Sequence, residues 1–197
     1  MTLSPAAVEA AHLIDRLDRL ARRGEAGNLN PAQWEALRFV ARANRFSRTP
    51  AALAEYLGST RGTVSQTLIS LEEKGYVTRE PSMRDRRSVA LGLTRLGERA
   101  LDADPILALA ASLAASGTDE LELLVDRLRG ALHTMISGNA GRAFGACYTC
   151  RHFRPAARDD DRAPHHCALL DEQLSDSDSR AICVEQEPAM AVVHAAR

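Results

Sequence analysis

Three helix-start signals stand in close succession, at Asn30, Thr49 and Thr60, and the hydrophobic period then turns from helical to strand-like after Gly75. Few architectures accommodate short helices so closely spaced and followed by a hairpin. Asn30-Pro31-Ala32-Gln33 offers a capping side chain, a proline for the first turn and a glutamine placed to reach back. Trp34, Leu37, Phe39 and Val40 follow as candidate core. Thr49-Pro50 repeats the signal, and Leu53, Ala54 and Leu57 carry a short helix stopped by Gly58. Thr60 caps the next helix, whose apolar face is Val64, Leu68 and Leu71, with Gly75 closing it. Residues 76–79 and 88–94 read as two strands, and the segment between them holds Pro81 and the charged run Arg84, Asp85, Arg86 and Arg87. A hairpin with an arginine-rich tip is the simplest arrangement.

Amphipathic helices flank this block. Val8, Ala11, Ile14, Leu17 and Leu20 repeat at helical spacing over residues 5–22, ending near Gly24 and Gly27. Helices resume at Thr94. Thr118-Asp119-Glu120 opens a long one bearing Leu121, Leu124, Val125, Leu128, Leu132, Met135 and Ile136 on one face. Gly138-Asn139-Ala140-Gly141 ends it, and the rest shows no sustained period. The expected fold is mainly α with a small β-wing: a winged helix-turn-helix over residues 1–137, a linker over 138–146 and a loop-rich four-cysteine module over 147–197.

The net charge of −1 hides a segregation: residues 1–100 carry a net +5, residues 101–143 a net −3 and residues 144–197 a net −3. A basic half joined to an acidic one suits a nucleic-acid binder with an appended module. Lys74 is the one lysine, so nearly all positive charge is arginine. The longest apolar run, residues 106–115, is too short to span a bilayer. No basic segment followed by an apolar stretch opens the chain, so the expectation is a cytoplasmic protein without a membrane partner.

A helix fits the DNA major groove, and side chains in its first two turns reach base edges. In the helix after Thr60 the outward positions are Arg61, Thr63, Ser65, Gln66 and Thr67, short hydrogen-bonding groups plus an arginine and a glutamine. Residues 5–137 resemble the MarR family of bacterial transcription regulators. The resemblance is carried by the segment Leu53-Ala54-Glu55-Tyr56-Leu57-Gly58, by Thr60-Arg61-Gly62-Thr63-Val64-Ser65-Gln66 and by Leu71-Glu72-Glu73-Lys74-Gly75-Tyr76-Val77. The Asp85-Arg86-Arg87 tip and Leu91-Gly92-Leu93-Thr94 also match the family's wing. It implies a homodimer that pairs through the first and last helices and binds an inverted-repeat operator in double-stranded DNA. It also implies that Arg84, Asp85, Arg86 and Arg87 reach the minor groove or phosphates, with Asp85 orienting Arg87. A small-molecule effector between the dimer and DNA-binding helices is a further possible partner.

All four cysteines, Cys147, Cys150, Cys167 and Cys183, fall beyond the winged helix in a C-x2-C-x16-C-x15-C pattern. In a cytosolic protein this clustering points to metal or redox chemistry before disulfides. Four thiolates select zinc, an iron–sulfur cluster or another soft metal. One pair plus two singles is similar to the ligand spacing of high-potential iron–sulfur proteins, which places a [4Fe–4S] cluster marginally ahead of zinc; His165 and His166 are possible substitute ligands for zinc. MarR proteins end at their last dimer helix, so the family leaves this tail unexplained. No nucleotide loop, Ser/His/Asp set or paired catalytic carboxylate accompanies the cysteines, and no enzyme is expected. The reading is a DNA-binding regulator, most simply a repressor, tuned by a metal- or redox-responsive centre. The alternatives are an electron-transfer component and a regulator with a purely structural zinc.

Overall fold

The computed structural model describes residues 2–22, 28–82, 88–115, 117–138 and 141–189. The charged tip Arg84, Asp85, Arg86 and Arg87 lies outside the described residues, as do Gly24, Gly27, Asn139 and Ala140.

The chain begins with α1 (Pro5–Ala21), α2 (Pro31–Arg42), α3 (Pro50–Tyr56) and α4 (Arg61–Glu73). Each is opened by the side chain of the residue before it: Ser4, Asn30, Thr49 and Thr60 accept from backbone N–H groups three residues on, satisfying donors that a helix leaves unpaired. At α2 the capping box is complete, with the Gln33 side chain accepting from the Asn30 N–H. Gly58 turns α3 into α4 at φ +58°, where a side chain would be strained. The wing follows as β1 (Val77–Pro81) and β2 (Val89–Leu93), antiparallel with Val77 opposite Leu93. Then come α5 (Arg95–Asp102), α6 (Ile106–Leu113) and α7 (Thr118–Gly138). Gly97 lies so close under the wing base that a Cβ there would meet the Tyr76 carbonyl oxygen at 2.2 Å.

The winged-helix core is Trp34, Leu37, Phe39 and Val40 of α2, Leu53 of α3, Val64, Leu68 and Leu71 of α4, and Val77 and Leu91 of the wing. Each falls on the apolar face that its helical or strand period assigns. Arg38 and Asp104 join α2 to the segment after α5, with Arg38 Nε donating to Asp104 at 2.7 Å. Burial raises the Asp104 pKa, but the bonds from Arg38 and from the Ile106 N–H outweigh it and hold the carboxyl below its ordinary value. The helices α1 and α7 bury none of their side chains, and α6 buries none either.

Beyond α7 the structure departs from expectation twice. The tail, expected as loop-rich, forms a three-stranded antiparallel sheet of β3 (Phe153–Arg154), β4 (His165–Cys167) and β5 (Glu172–Leu174), followed by α8 (Asp176–Arg180). Strands of two and three residues are too short to show a period, which is why the sequence read as loop. The second departure lies in the expected linker over 138–146, from which Phe144 enters the core. Phe144 is 8% exposed and closes an aromatic cluster with Phe39 and Tyr56, the Tyr56–Phe144 ring centroids 5.3 Å apart. Ile182 enters the same core from the tail. The two regions therefore share apolar packing and do not hang from a tether.

Truncating Phe144 tests this sharing. Phe144→Ala should cost about 3 kcal/mol, the ordinary penalty for emptying a buried aromatic site. It should lower the midpoint of one common denaturation transition, followed by circular dichroism and by thiol accessibility together. Two separate transitions, the winged helix unaffected, would show independent domains. A second test uses pH. The depressed Asp104 carboxyl stabilises the fold above its unfolded pKa, and that contribution is lost as pH falls through the lower folded value. Asp104→Asn should therefore lose stability at neutral pH and show a weaker acid dependence, read from denaturation midpoints across the acidic range.

Candidate functional site

Two places carry chemistry. The first is the exposed face of α4. Val64 and Leu68 are buried against α2 and α3, which leaves Arg61, Thr63 and Gln66 exposed and Ser65 and Thr67 half-buried. Thr63 Oγ1 lies 2.9 Å from the Thr60 hydroxyl, and the Thr67 hydroxyl donates to the Thr63 carbonyl at 3.1 Å. Arg61 and Gln66 are thus the long polar side chains of the first turns, beside the wing base. The helix starts free of acidic residues in its first turn.

The second place is a small, partly open cavity lined by all four cysteines with His152, Phe153, Leu174 and Glu185. Cys147 and Cys183 are buried, Cys150 and Cys167 half-buried, and all four are free thiols. The spacing that separates them in sequence is closed by the tail sheet. Phe153 of β3 pairs with Cys167 of β4, while the turn at Cys147–Thr149 brings Cys150 round beside them. Among the described residues no three His, Cys, Asp or Glu side chains yet stand grouped closely enough to hold an ion.

Hydrogen bonds run toward the sulfurs. Asn44 Nδ2 donates to Cys147 Sγ at 3.4 Å, and the Glu187 N–H donates to Cys150 Sγ at 3.5 Å. Cys147 and Cys183 share a hydrogen bond that raises the Cys147 pKa, burial adding to the rise, and lowers that of Cys183 to about 6 in spite of its burial. Asn44, the Glu185 backbone and Ser47 assist the Cys183 thiolate. The histidines named as substitute ligands are engaged elsewhere. His165 Nε2 lies 2.8 Å from Asp176 with its ring against Phe153, and His166 Nε2 lies 2.9 Å from Asp171. The histidine lining the cavity is His152, whose Nε2 stands 3.3 Å from Glu187.

Asn44 and Ser47 are the site residues that sequence reasoning missed. They occupy the segment between α2 and α3 and are 2% and 0% exposed. Two polar residues after a capped amphipathic helix look like an ordinary solvated turn, and only the folded tail reveals their partners.

With this geometry in view, comparisons with known proteins bear on the frame. Residues 28–88 match the model of the MarR family. That stretch runs from just before α2 into the wing. The solved transcriptional regulator BldR from Sulfolobus solfataricus is 23% identical, with a TM-score of 0.51 over 68% of this chain and 99% of that one. A point mutant of MepR from S. aureus is 19% identical, with a TM-score of 0.50 over 68% of this chain and 99% of its own. Both share the MarR-type winged-helix fold and leave close to a third of this chain without a counterpart. Curated protein sequences gave no significant match. No described helix is long and apolar enough to cross a membrane.

Burial orders the thiols by access. In metal-free protein, iodoacetamide should modify Cys150 and Cys167 ahead of Cys147 and Cys183, followed by mass spectrometry of the resulting peptides. Equal rates at all four would contradict the packed Cys147–Cys183 pair.

Proposed function

We propose that this chain is a DNA-binding transcription regulator that acts as a homodimer and holds one metal ion per protomer at its four cysteines. The observation that carries the DNA reading is the capped helix α4, which exposes Arg61, Thr63 and Gln66 beside the wing of a MarR-type fold. A helix of this kind lies in the major groove with its first turns toward the bases. Arginine pairs there with guanine and glutamine with adenine, while Ser65 and Thr67 lie nearer the core as supporting contacts. The wing arginines Arg84, Arg86 and Arg87 meet phosphates or the minor groove, Asp85 orienting them. That BldR is described as a transcriptional regulator agrees with this reading.

The dimer rests on apolar faces that the protomer leaves bare. Val8, Ile14, Leu17 and Leu20 of α1 and Leu124, Leu128, Leu132 and Met135 of α7 are all exposed, at spacings that align them along one stripe per helix. Two such stripes covered by a second copy bury a continuous apolar surface, the strongest driving force for association.

For the metal, the donor set is four thiols, two of them buried, with N–H groups aimed at the sulfurs. Such donors stabilise thiolate charge, which a metal requires. Four thiolate donors suit one tetrahedral ion, zinc, as the simplest occupant, a [4Fe–4S] cluster being the other. Cys147, Cys150, Cys167 and Cys183 would hold the ion, and thiolates from separate segments would tie the tail together. Regulation by metal supply or by oxidation follows from the same thiolates, which must be reduced and deprotonated to hold the ion.

The tests are separate for DNA and metal. On an inverted-repeat duplex selected from a random library, Arg87→Ala should weaken binding to every sequence and reduce the salt slope by about 1. Gln66→Ala should relax base choice at one position in each half-site, at about 1–3 kcal/mol. Unchanged affinity in an Arg86→Ala, Arg87→Ala double variant would remove the wing from the mechanism. Cys167→Ser should abolish stoichiometric metal, read by elemental analysis and visible absorption of anaerobically purified protein. Unchanged metal would overturn the four-ligand assignment, and an iron–sulfur absorption band in the parent would replace zinc with a cluster.

A further inference from the structure

The segment between α2 and α3 belongs to three structures at once. Asn44 Oδ1 accepts from the N–H groups of Phe46 and Ser47, at 3.1 and 2.9 Å, and so shapes the turn. The same side chain donates through Nδ2 to Cys147 Sγ. Ser47 Oγ accepts from the N–H of Val184, the residue after Cys183, at 2.9 Å. One residue on, the Arg48 carbonyl accepts from the Leu91 N–H of β2 at 2.8 Å, holding the wing base. Thr49 then caps α3, the first helix of the helix-turn-helix. Within six residues the chain bonds the Cys147 thiol, the backbone next to Cys183, the wing and the helix that packs behind α4.

By contrast, the tail meets α7 through a single hydrogen bond among those the described residues make, from Arg129 Nη2 to the Tyr148 hydroxyl at 3.1 Å, both groups exposed. A signal carried along the last helix, which the order of elements in the sequence suggests, has little to act on. In the turn, by contrast, Asn44 and Ser47 are buried and each is hydrogen-bonded to the tail.

We propose that Asn44 and Ser47 are positioning residues common to the cysteine centre and the DNA-binding unit, so that metal occupancy sets the α2–α3 turn and through it the placement of α3, α4 and the wing. This rests on the metal-centre reading above. Four sulfurs held about 2.3 Å from one zinc ion leave little freedom to Cys147 and Cys183, and Asn44 and Ser47 must follow them. The loaded centre therefore fixes the turn in the arrangement that presents α4 and the wing together, whereas metal loss releases it. A ligand shifts such an equilibrium only by its differential affinity for the two states, and the coupling is reciprocal: bound DNA tightens metal to the same degree.

The experiment uses the full-length dimer, zinc-loaded or stripped with chelator under reducing conditions, on the selected duplex. Wild-type protein should bind DNA about tenfold more weakly when stripped, within the usual range of coupling between two sites. Asn44→Asp keeps an oxygen for the Phe46 and Ser47 N–H groups but removes the donor to Cys147. It should still take up cobalt(II) with a thiolate charge-transfer band, shifted from that of the wild type, while its loaded and stripped forms bind DNA alike. Ser47→Ala, which changes no charge, makes the same test from the Cys183 side. A tenfold difference retained in both variants would overturn the proposal, as would wild-type protein that binds metal yet shows equal DNA affinity with and without it. Wild-type protein that binds no metal would overturn the metal reading itself, and elemental analysis alone tells that case from the other two.

Discussion

Ile182 donates its N–H to the Arg42 carbonyl at 2.9 Å, its carbonyl accepts from the Asn44 N–H at 2.9 Å, and its side chain is buried in the winged-helix core. It also bridges to Ala146, so the segments entering and leaving the cysteine cavity are held against the end of α2 by one residue. Cys183 is next in the chain, and its position follows from this anchor. Without the bridge, Asn44 Nδ2 and Ser47 Oγ would lose the partners that they have in the tail. The tail in turn has little apolar material of its own: Leu174 and the two buried cysteines, with Phe46, Phe153 and Cys167 around them. A cluster that small needs support from elsewhere, and the winged-helix core supplies it through Phe144 and Ile182.

Charge follows the same division. The basic first half is not spent on DNA alone. Arg45 pairs with Asp178 at 2.6 Å and lies near Glu172, and its guanidinium also covers the Phe46 ring. Arg142 bridges Glu55 of α3 and Glu185 of the tail, at 3.0 and 2.8 Å. Part of the segregation visible in the sequence is therefore complementarity between the two regions of one chain. These pairs are half-exposed, and such pairs contribute at most about 1 kcal/mol each. Their role is to orient the tail, while Phe144 and Ile182 supply the binding energy.

Local signals were legible and long-range ones were not. Asn30, Thr49 and Thr60 announce their helices because a cap acts within three residues, and Val64 and Leu68 fall inward because the helical period leaves them no other face. The wing strands alternate long enough to be read. In the tail, the partner of Ser47 lies 137 residues away at Val184, and that of Asn44 lies 103 residues away at Cys147. No window on the sequence contains such a pair. The cysteine spacing showed that four thiols could meet, but not that they would meet against the helix-turn-helix. His165 and His166 illustrate the converse: adjacency to Cys167 made them candidate ligands, yet alternation along β4 and the acids Asp176 and Asp171 draw them into hydrogen bonds of their own.

Where the cysteine centre sits decides what kind of signal it can send. A centre acting on α7 would act at the dimer seam, and a change in one protomer would alter the spacing of both reading heads. A centre acting at residues 43–49 lies instead within a single winged-helix unit, between the core that Phe39 and Leu53 build and the wing strand that carries Leu91. Its effect is on the internal geometry of one head. The bare stripes of α1 and α7 then remain free for a constitutive dimer, and their large apolar area argues for association that does not depend on the metal. On the proposed reading, assembly falls to the outer helices and input to the α2–α3 turn, beside the aromatic cluster of Phe39, Tyr56 and Phe144.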